Sequence, residues 1–277
     1  MAMQDEHVAP AGQAPRSPAG AAWSPRVTLV RGRYRLLEPI GAGGMGSVHH
    51  ARDLVTGRSV ALKLPRAPAA RQPWSSRACL LREGEALARV RHPHVVGFID
   101  VGVDRDVAFL AMQRLHAAPL AGRTLRPGAA LRIGRQIGEA LAAVHDAGLV
   151  HRDVTPRNLL VAPDGHATLI DFGLARAVDA TDDVFAALAL TGSEPAGTRA
   201  YMAPEQRDGL GVTAAADQYA LSATLLRCLD VGAAASREDG ALAALLAVLR
   251  RALAEEPRAR FADMRAFVAA LGGCTTR

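Results

Sequence analysis

Lysine is almost missing from this chain. Of 33 lysine and arginine residues in 277, Lys63 is the single lysine. Arginine fills every other cationic position, so the chain writes Arg wherever any cation serves. Unless it is a chance survivor, a lone lysine marks a place that wants a compact ammonium rather than a wide guanidinium fork. Cysteine is scarce as well. Cys79, Cys228 and Cys274 are odd in number and far apart, which argues against a disulfide framework or a clustered zinc site. Aromatic residues make up 4%, few for a surface that stacks nucleobases, and the basic residues are scattered despite a net charge of +6. Nucleic acid is therefore not expected as the main partner, while acidic substrates or nucleotide phosphates suit the charge. No apolar run is long enough to cross a bilayer, and the opening M-A-M-Q-D-E-H lacks the basic-then-apolar order of a secretory leader. A cytoplasmic location is expected.

What is present falls into two patterns. Residues 1–30, rich in Ala, Pro, Gly and Ser without apolar periodicity, read as a disordered tail. From Tyr34, three strand-like runs, Y-R-L-L-E-P-I, S-V-H-H-A-R-D and S-V-A-L-K-L, are separated by turn signals. A helix follows, capped by Ser75 or Ser76, with Leu80, Leu81, Leu87 and Val90 on one face. Two more strands, V-V-G-F-I-D-V-G-V and V-A-F-L-A-M, complete a small sheet. Beyond residue 115 helical spacing dominates: one long helix stops at Gly148, and N-L-L-V-A and A-T-L-I flank a P-D-G-H turn. The expected class is α+β with two lobes. Residues 34–115 form a small antiparallel sheet lobe with one main helix. Residues 116–271 form a larger, mainly helical lobe, and 272–277 a short tail.

Gly41, Gly43 and Gly46 make a G-x-G-x-x-G run with Val48 two residues on. A strand rather than a helix follows, so the run reads as a hairpin tip whose backbone N–H groups can approach phosphates. Next comes V-A-L-K, ending at Lys63. Glu83, twenty residues later, is the preferred ion-pair partner, and Glu85 is the competitor. Residues 151–158, H-R-D-V-T-P-R-N, set an Asp and an Asn five residues apart just after the long helix.

Together with D-F-G at 171–173 and G-T-R-A-Y-M-A-P-E at 197–205, these motifs resemble the protein kinase family, above all bacterial Ser/Thr protein kinases of the eukaryotic-like type. The resemblance runs from Tyr34 to Leu271. It implies an ATP-dependent enzyme that phosphorylates Ser/Thr hydroxyls of proteins, with magnesium, or manganese in its place. Asp153 would orient the substrate hydroxyl and take its proton. Asn158 and Asp171 would hold the metal. Lys63 and Glu83 would serve the α- and β-phosphates under the loop from Ile40 through Ala42, Gly44 and Met45. Val48, Ala61 and Leu160 would enclose adenine, with Met112 behind it and Gln113 to Leu115 as the hinge. Arg152 would sense a phosphate at Thr191 or Ser193. Thr198 would favour Ser/Thr over Tyr, and Glu205 and Arg260 would form a structural ion pair.

Two departures stand out. Thr155 occupies the place where most Ser/Thr kinases carry a lysine, and Arg157, two residues on, offers a replacement cation. Near residues 230–240 the chain is shorter than the family pattern. A nucleotide-binding pseudokinase and a small-molecule phosphotransferase therefore stand beside the main reading.

Overall fold

The structure is a computed structural model that describes residues 29–43, 46–65, 76–177, 198–230 and 240–274. An antiparallel six-stranded sheet, in the order β1-β2-β3-β4-β6-β5, builds the first lobe. Its strands are β1 (Leu29–Val30), β2 (Tyr34–Gly43), β3 (Gly46–Asp53), β4 (Ser59–Pro65), β5 (Phe98–Asp104) and β6 (Val107–Gln113). The first strand lies inside the stretch expected to be tail. It turns back at Arg31–Arg33 to pair Val30 with Tyr34, and Val30 is buried. The period of two along β4 sends Val60, Leu62 and Leu64 into a small cluster with Tyr34, Phe109 and Ala111. Ala61 and Lys63 alternate with these residues and belong to the opposite face.

That opposite face carries α1 (Ser76–Ala88). Leu80, Leu87 and Val90 from this region join a second core shared with the other lobe, through Val95, Val96, Ile137, Leu141, Leu169 and Phe172. One continuous apolar body therefore ties the sheet lobe to the helical lobe.

The helical lobe is organised by α2 (Pro127–Asp146). Pro127 opens it at a position where the missing N–H costs nothing, and Gly148 at φ +70° ends it. The lobe also holds three short strand pairs: β8 (Leu149–Val150) with β11 (Arg176–Ala177), β9 (Leu159–Val161) with β10 (Ala167–Leu169), and β9 again with β7 (Ala118–Pro119), which precedes α2. The β9–β10 hairpin is the one expected around P-D-G-H. Then come α3 (Pro204–Arg207), α4 (Ala215–Cys228), α5 (Gly240–Ala252) and α6 (Met264–Gly272). No helix among the described residues is long and apolar enough to cross a membrane.

Candidate active site

The lone lysine lies where the sheet meets α1. Lys63 Nζ donates to both Glu83 carboxylate oxygens at 2.7 Å and to Asp171 Oδ1 at 3.1 Å. Its side chain is 8% exposed and that of Glu83 is 3% exposed. Glu83 reaches it because the next residue has no side chain: a Cβ on Gly84 would come within 2.5 Å of Val101 Cγ2 on β5. The competitor Glu85 points to solvent. Burial works against the Lys63 charge, yet Asp171 and Glu83 more than offset it and hold the ammonium well above its ordinary value. Burial, then the nearby Asp171, push the Glu83 carboxyl up to about 7 against the pull of Lys63. Desolvation also works on Asp171, but Lys63 and the Gly173 N–H win and keep its carboxyl below the usual range.

The H-R-D-V-T-P-R-N segment is held from beneath. Asp217 on α4, fully buried, accepts the backbone N–H groups of His151 at 2.9 Å and Arg152 at 2.8 Å, and lies 2.8 Å from His145 Nε2. Gln206 Nε2 donates to the Arg152 carbonyl at 2.8 Å, and Thr224 Oγ1 to the Val154 carbonyl at 2.9 Å. These contacts fix a strained path, with Arg152 at φ 68°, and Asp171, bound by Lys63 and the Gly173 N–H, stands at φ 66°. Non-glycine residues keep such angles only where the surroundings over-determine them. His151 packs its ring edge-on against Phe172, centroids 4.9 Å apart.

Asp153 emerges from this support with one oxygen engaged and one idle. Asn158 Nδ2 donates to Asp153 Oδ2 at 2.8 Å, while Oδ1 is buried without a partner among the described residues. Burial first, then the Asp171 charge, push the Asp153 carboxyl up to about 7. The Ile170 N–H donates to the Asn158 carbonyl at 2.9 Å, which brings Asn158 beside Asp171. The side-chain oxygens of these two residues form a small, hard donor set of the kind that takes a divalent cation together with water and phosphate oxygens.

Across the cleft, Gly43 pairs with Gly46, so the glycine run is the tip of a β2–β3 hairpin. Gly44 and Met45 lie outside the described residues. Gly46 tolerates no side chain, because a Cβ there would collide with the Leu64 carbonyl. Gly41 pairs with Val48, and Val48 with Lys63. Ile40 is exposed, and Ala42 also faces solvent. Ala61 pairs with Met112, both 8% exposed. The Gln113 N–H is spent on the Gly97 carbonyl at 2.8 Å, while Leu115 has no backbone partner among the described residues. Leu160, half-buried, sits in β9 opposite Thr168.

Thr155 is buried and its carbonyl accepts the Asn158 N–H, whereas Arg157 is exposed. Thr198 opens a 3-10 turn. Glu205 and Arg260 form a bidentate pair at 2.6 and 2.8 Å, 6% and 2% exposed. Thr191, Ser193 and the short stretch at 231–239 lie outside the described residues. Sequence reasoning missed the grip of Gln206 and Thr224 on the loop, and it did not identify His145. Each of these contacts ends on a backbone atom or on a residue 54 to 72 positions away, which local spacing does not reveal.

The protein kinase domain model matches residues 34–245. Serine/threonine-protein kinase PknE of Mycobacterium tuberculosis is 41% identical over 203 residues, covering 72% of this chain and 35% of that protein. Serine/threonine-protein kinase PknD of the same organism is 40% identical over 220 residues, covering 78% and 32%. The chain thus spans about a third of the length of these curated relatives. The solved kinase domain of M. tuberculosis PknI superposes with a TM-score of 0.67 at 28% identity, over 89% of this chain and 97% of that one. On the match of the domain model over most of its length, the chain belongs to the protein kinase domain family.

Proposed function

We propose that this chain is an ATP-dependent Ser/Thr protein kinase that moves the γ-phosphoryl group onto protein hydroxyls. The observation that carries it is a buried Lys63 held by Glu83 and Asp171 together with an Asp153 carboxylate that keeps one oxygen without a partner among the described residues. Asp153 orients the substrate hydroxyl with Oδ1 and accepts its proton, which suits a carboxyl raised to about 7. Lys63, kept in place by Glu83, holds the α- and β-phosphates. Val48, Ala61 and Leu160 enclose the adenine, Met112 backs it, and the Gln113–Leu115 hinge reads its edge. The hairpin from Ile40 to Val48 covers the phosphates with backbone N–H groups. Asn158 and Asp171 hold magnesium, or manganese in its place. Once bound, the metal neutralises charge on the β- and γ-phosphates.

Arg157 supplies a cation to the transferring phosphoryl group in place of the lysine missing at Thr155. Thr198 favours Ser/Thr acceptors, and Arg152 receives a phosphate placed by autophosphorylation on Thr191 or Ser193. The work is expected in the cytoplasm. The test is transfer of label from ATP to protein serine and threonine by the wild type, with Asp153→Asn as the control. Nucleotide binding without transfer in both proteins would favour the pseudokinase reading, and transfer by both alike would expose a contaminant.

A further inference from the structure

Three exposed arginines lie on segments that carry the Asp153 loop or are bonded to it. Arg157 leaves the loop four residues after Asp153 and is exposed. Arg199 sits in the 3-10 turn beside Thr198 and is exposed. Arg227, in the last turn of α4, is exposed and lays its guanidinium over the Tyr201 ring, 5.3 Å from the centroid. Thr224, one turn before Arg227, donates to the Val154 carbonyl, so this end of α4 abuts the loop that carries Asp153. Gln206 ties the segment after Tyr201 to the same loop through the Arg152 carbonyl.

None of the three arginines forms an ion pair among the described residues, although the chain pairs other arginines repeatedly. Two nearby carboxylates are spent on the scaffold: Glu205 is bound by Arg260, and Asp217 by His145 and two backbone N–H groups. Stacking on Tyr201 orients Arg227 and leaves its fork free for a planar anion.

We infer that this rim reads acidity in the substrate: the protein prefers a serine or threonine with an aspartate, a glutamate or a phosphorylated residue within about three positions, a span of roughly 10 Å along an extended peptide. Arg227 and Arg199 carry this selectivity. Arg157, which the proposed function assigns to the transferring phosphoryl group, adds to the field. This rests on the protein kinase reading and narrows its substrate class.

The test uses the full chain with a serine peptide library in which each flanking position is varied through Asp, Ala and Arg. Wild type should favour Asp over Arg at one or more positions by about tenfold in kcat/KM, the scale of one charge-assisted contact. Arg227→Glu should reverse that order at the same position and regain speed on the Arg peptide, while its rate on the all-Ala peptide stays near that of wild type. A merely structural role for Arg227 would lower all three peptides together. Arg199→Glu provides the same reading if Arg227→Glu does not fold. Equal use of Asp and Arg peptides by wild type would overturn this inference and leave the kinase reading standing. No transfer to any peptide or protein would remove both.

Discussion

Two buried ion pairs, one in each lobe, are built on opposite plans. In the helical lobe Arg260 uses all five of its N–H donors. Nε donates to the Ala254 carbonyl, Nη1 to Glu205 and the Ala215 carbonyl, and Nη2 to Glu205 and the Glu255 carbonyl. Tyr219 lies 5.1 Å beneath the guanidinium. Nothing there is left to bind. At the cleft a single ammonium serves Glu83 and Asp171 and also lowers Asp153, so negative charge is in surplus. Two carboxyls are pushed up to about 7, and one Asp153 oxygen has no partner among the described residues. A fully matched pair defines a fold, whereas an unmatched one keeps electrostatic capacity for a metal, a phosphate or a proton.

The largest effect should come from removing the idle carboxylate. Asp153→Asn is expected to lower phosphoryl transfer about a thousandfold, within the range of lost general-base catalysis. The same change should raise metal-free thermal stability at pH 8. The Asp153 value is raised from 3.8 to about 7, so the native state binds more protons in that window and stability falls as pH rises through it. An asparagine escapes that loss. The melting-temperature gap between variant and wild type should therefore close as pH approaches 4. A gap that widens toward acid would contradict the assignment of a strained carboxylate.

Exchanging the two cations tests the contrast directly. Lys63→Arg puts a broad fork where three oxygens meet a point charge, and misplacement of that order costs about a hundredfold in kcat. In a chain that uses arginine for every other cation, retained activity in this variant would show Lys63 to be a chance survivor. Arg260→Lys does the converse. Three ammonium donors cannot serve five acceptor contacts, so buried carbonyls go unmet at a cost of about 2 kcal/mol in chemical denaturation. Any enzyme that still folds should keep its KM for ATP, because the clamp touches none of the cleft residues.

The same contrast explains how much was legible in the sequence. Lys63 and Glu83, twenty residues apart, and Asp153 and Asn158, five apart, stood out by composition and spacing, whereas Asp171 and the roles of the acidic residues came only with the family resemblance. The glycine hairpin could be placed because a strand follows it. Glu205 and Arg260 were paired only through the family resemblance, and the three carbonyls that complete the Arg260 shell have no side-chain signature. The hold of Asp217 on the His151 and Arg152 N–H groups, 66 and 65 positions away, exists only once the chain has folded back. Leu29–Val30 was assigned to the tail because two residues are too few to show a period. Their pairing depends on a turn through Arg31 and Gly32, both at positive φ.

A third pair should give the smallest effect. Asp53 takes both nitrogens of the Arg33 fork at 2.9 Å and also accepts from the Val55 N–H and the Thr56 hydroxyl, closing the β3–β4 turn. It is matched like the Arg260 clamp, but Arg33 stays 31% exposed, so water screens it. The Arg33 hydrogen bonds hold the Asp53 carboxyl below its ordinary value of 3.8. A depressed carboxylate stabilises above its unfolded value, and that contribution is lost as pH falls through the folded one. Asp53→Asn should therefore cost about 1 kcal/mol at pH 7, leave phosphoryl transfer unchanged, and differ less from wild type as the solution is taken below pH 4. A loss as large as that of Arg260→Lys would show that completeness of matching, rather than burial of both partners, sets the strength of these pairs.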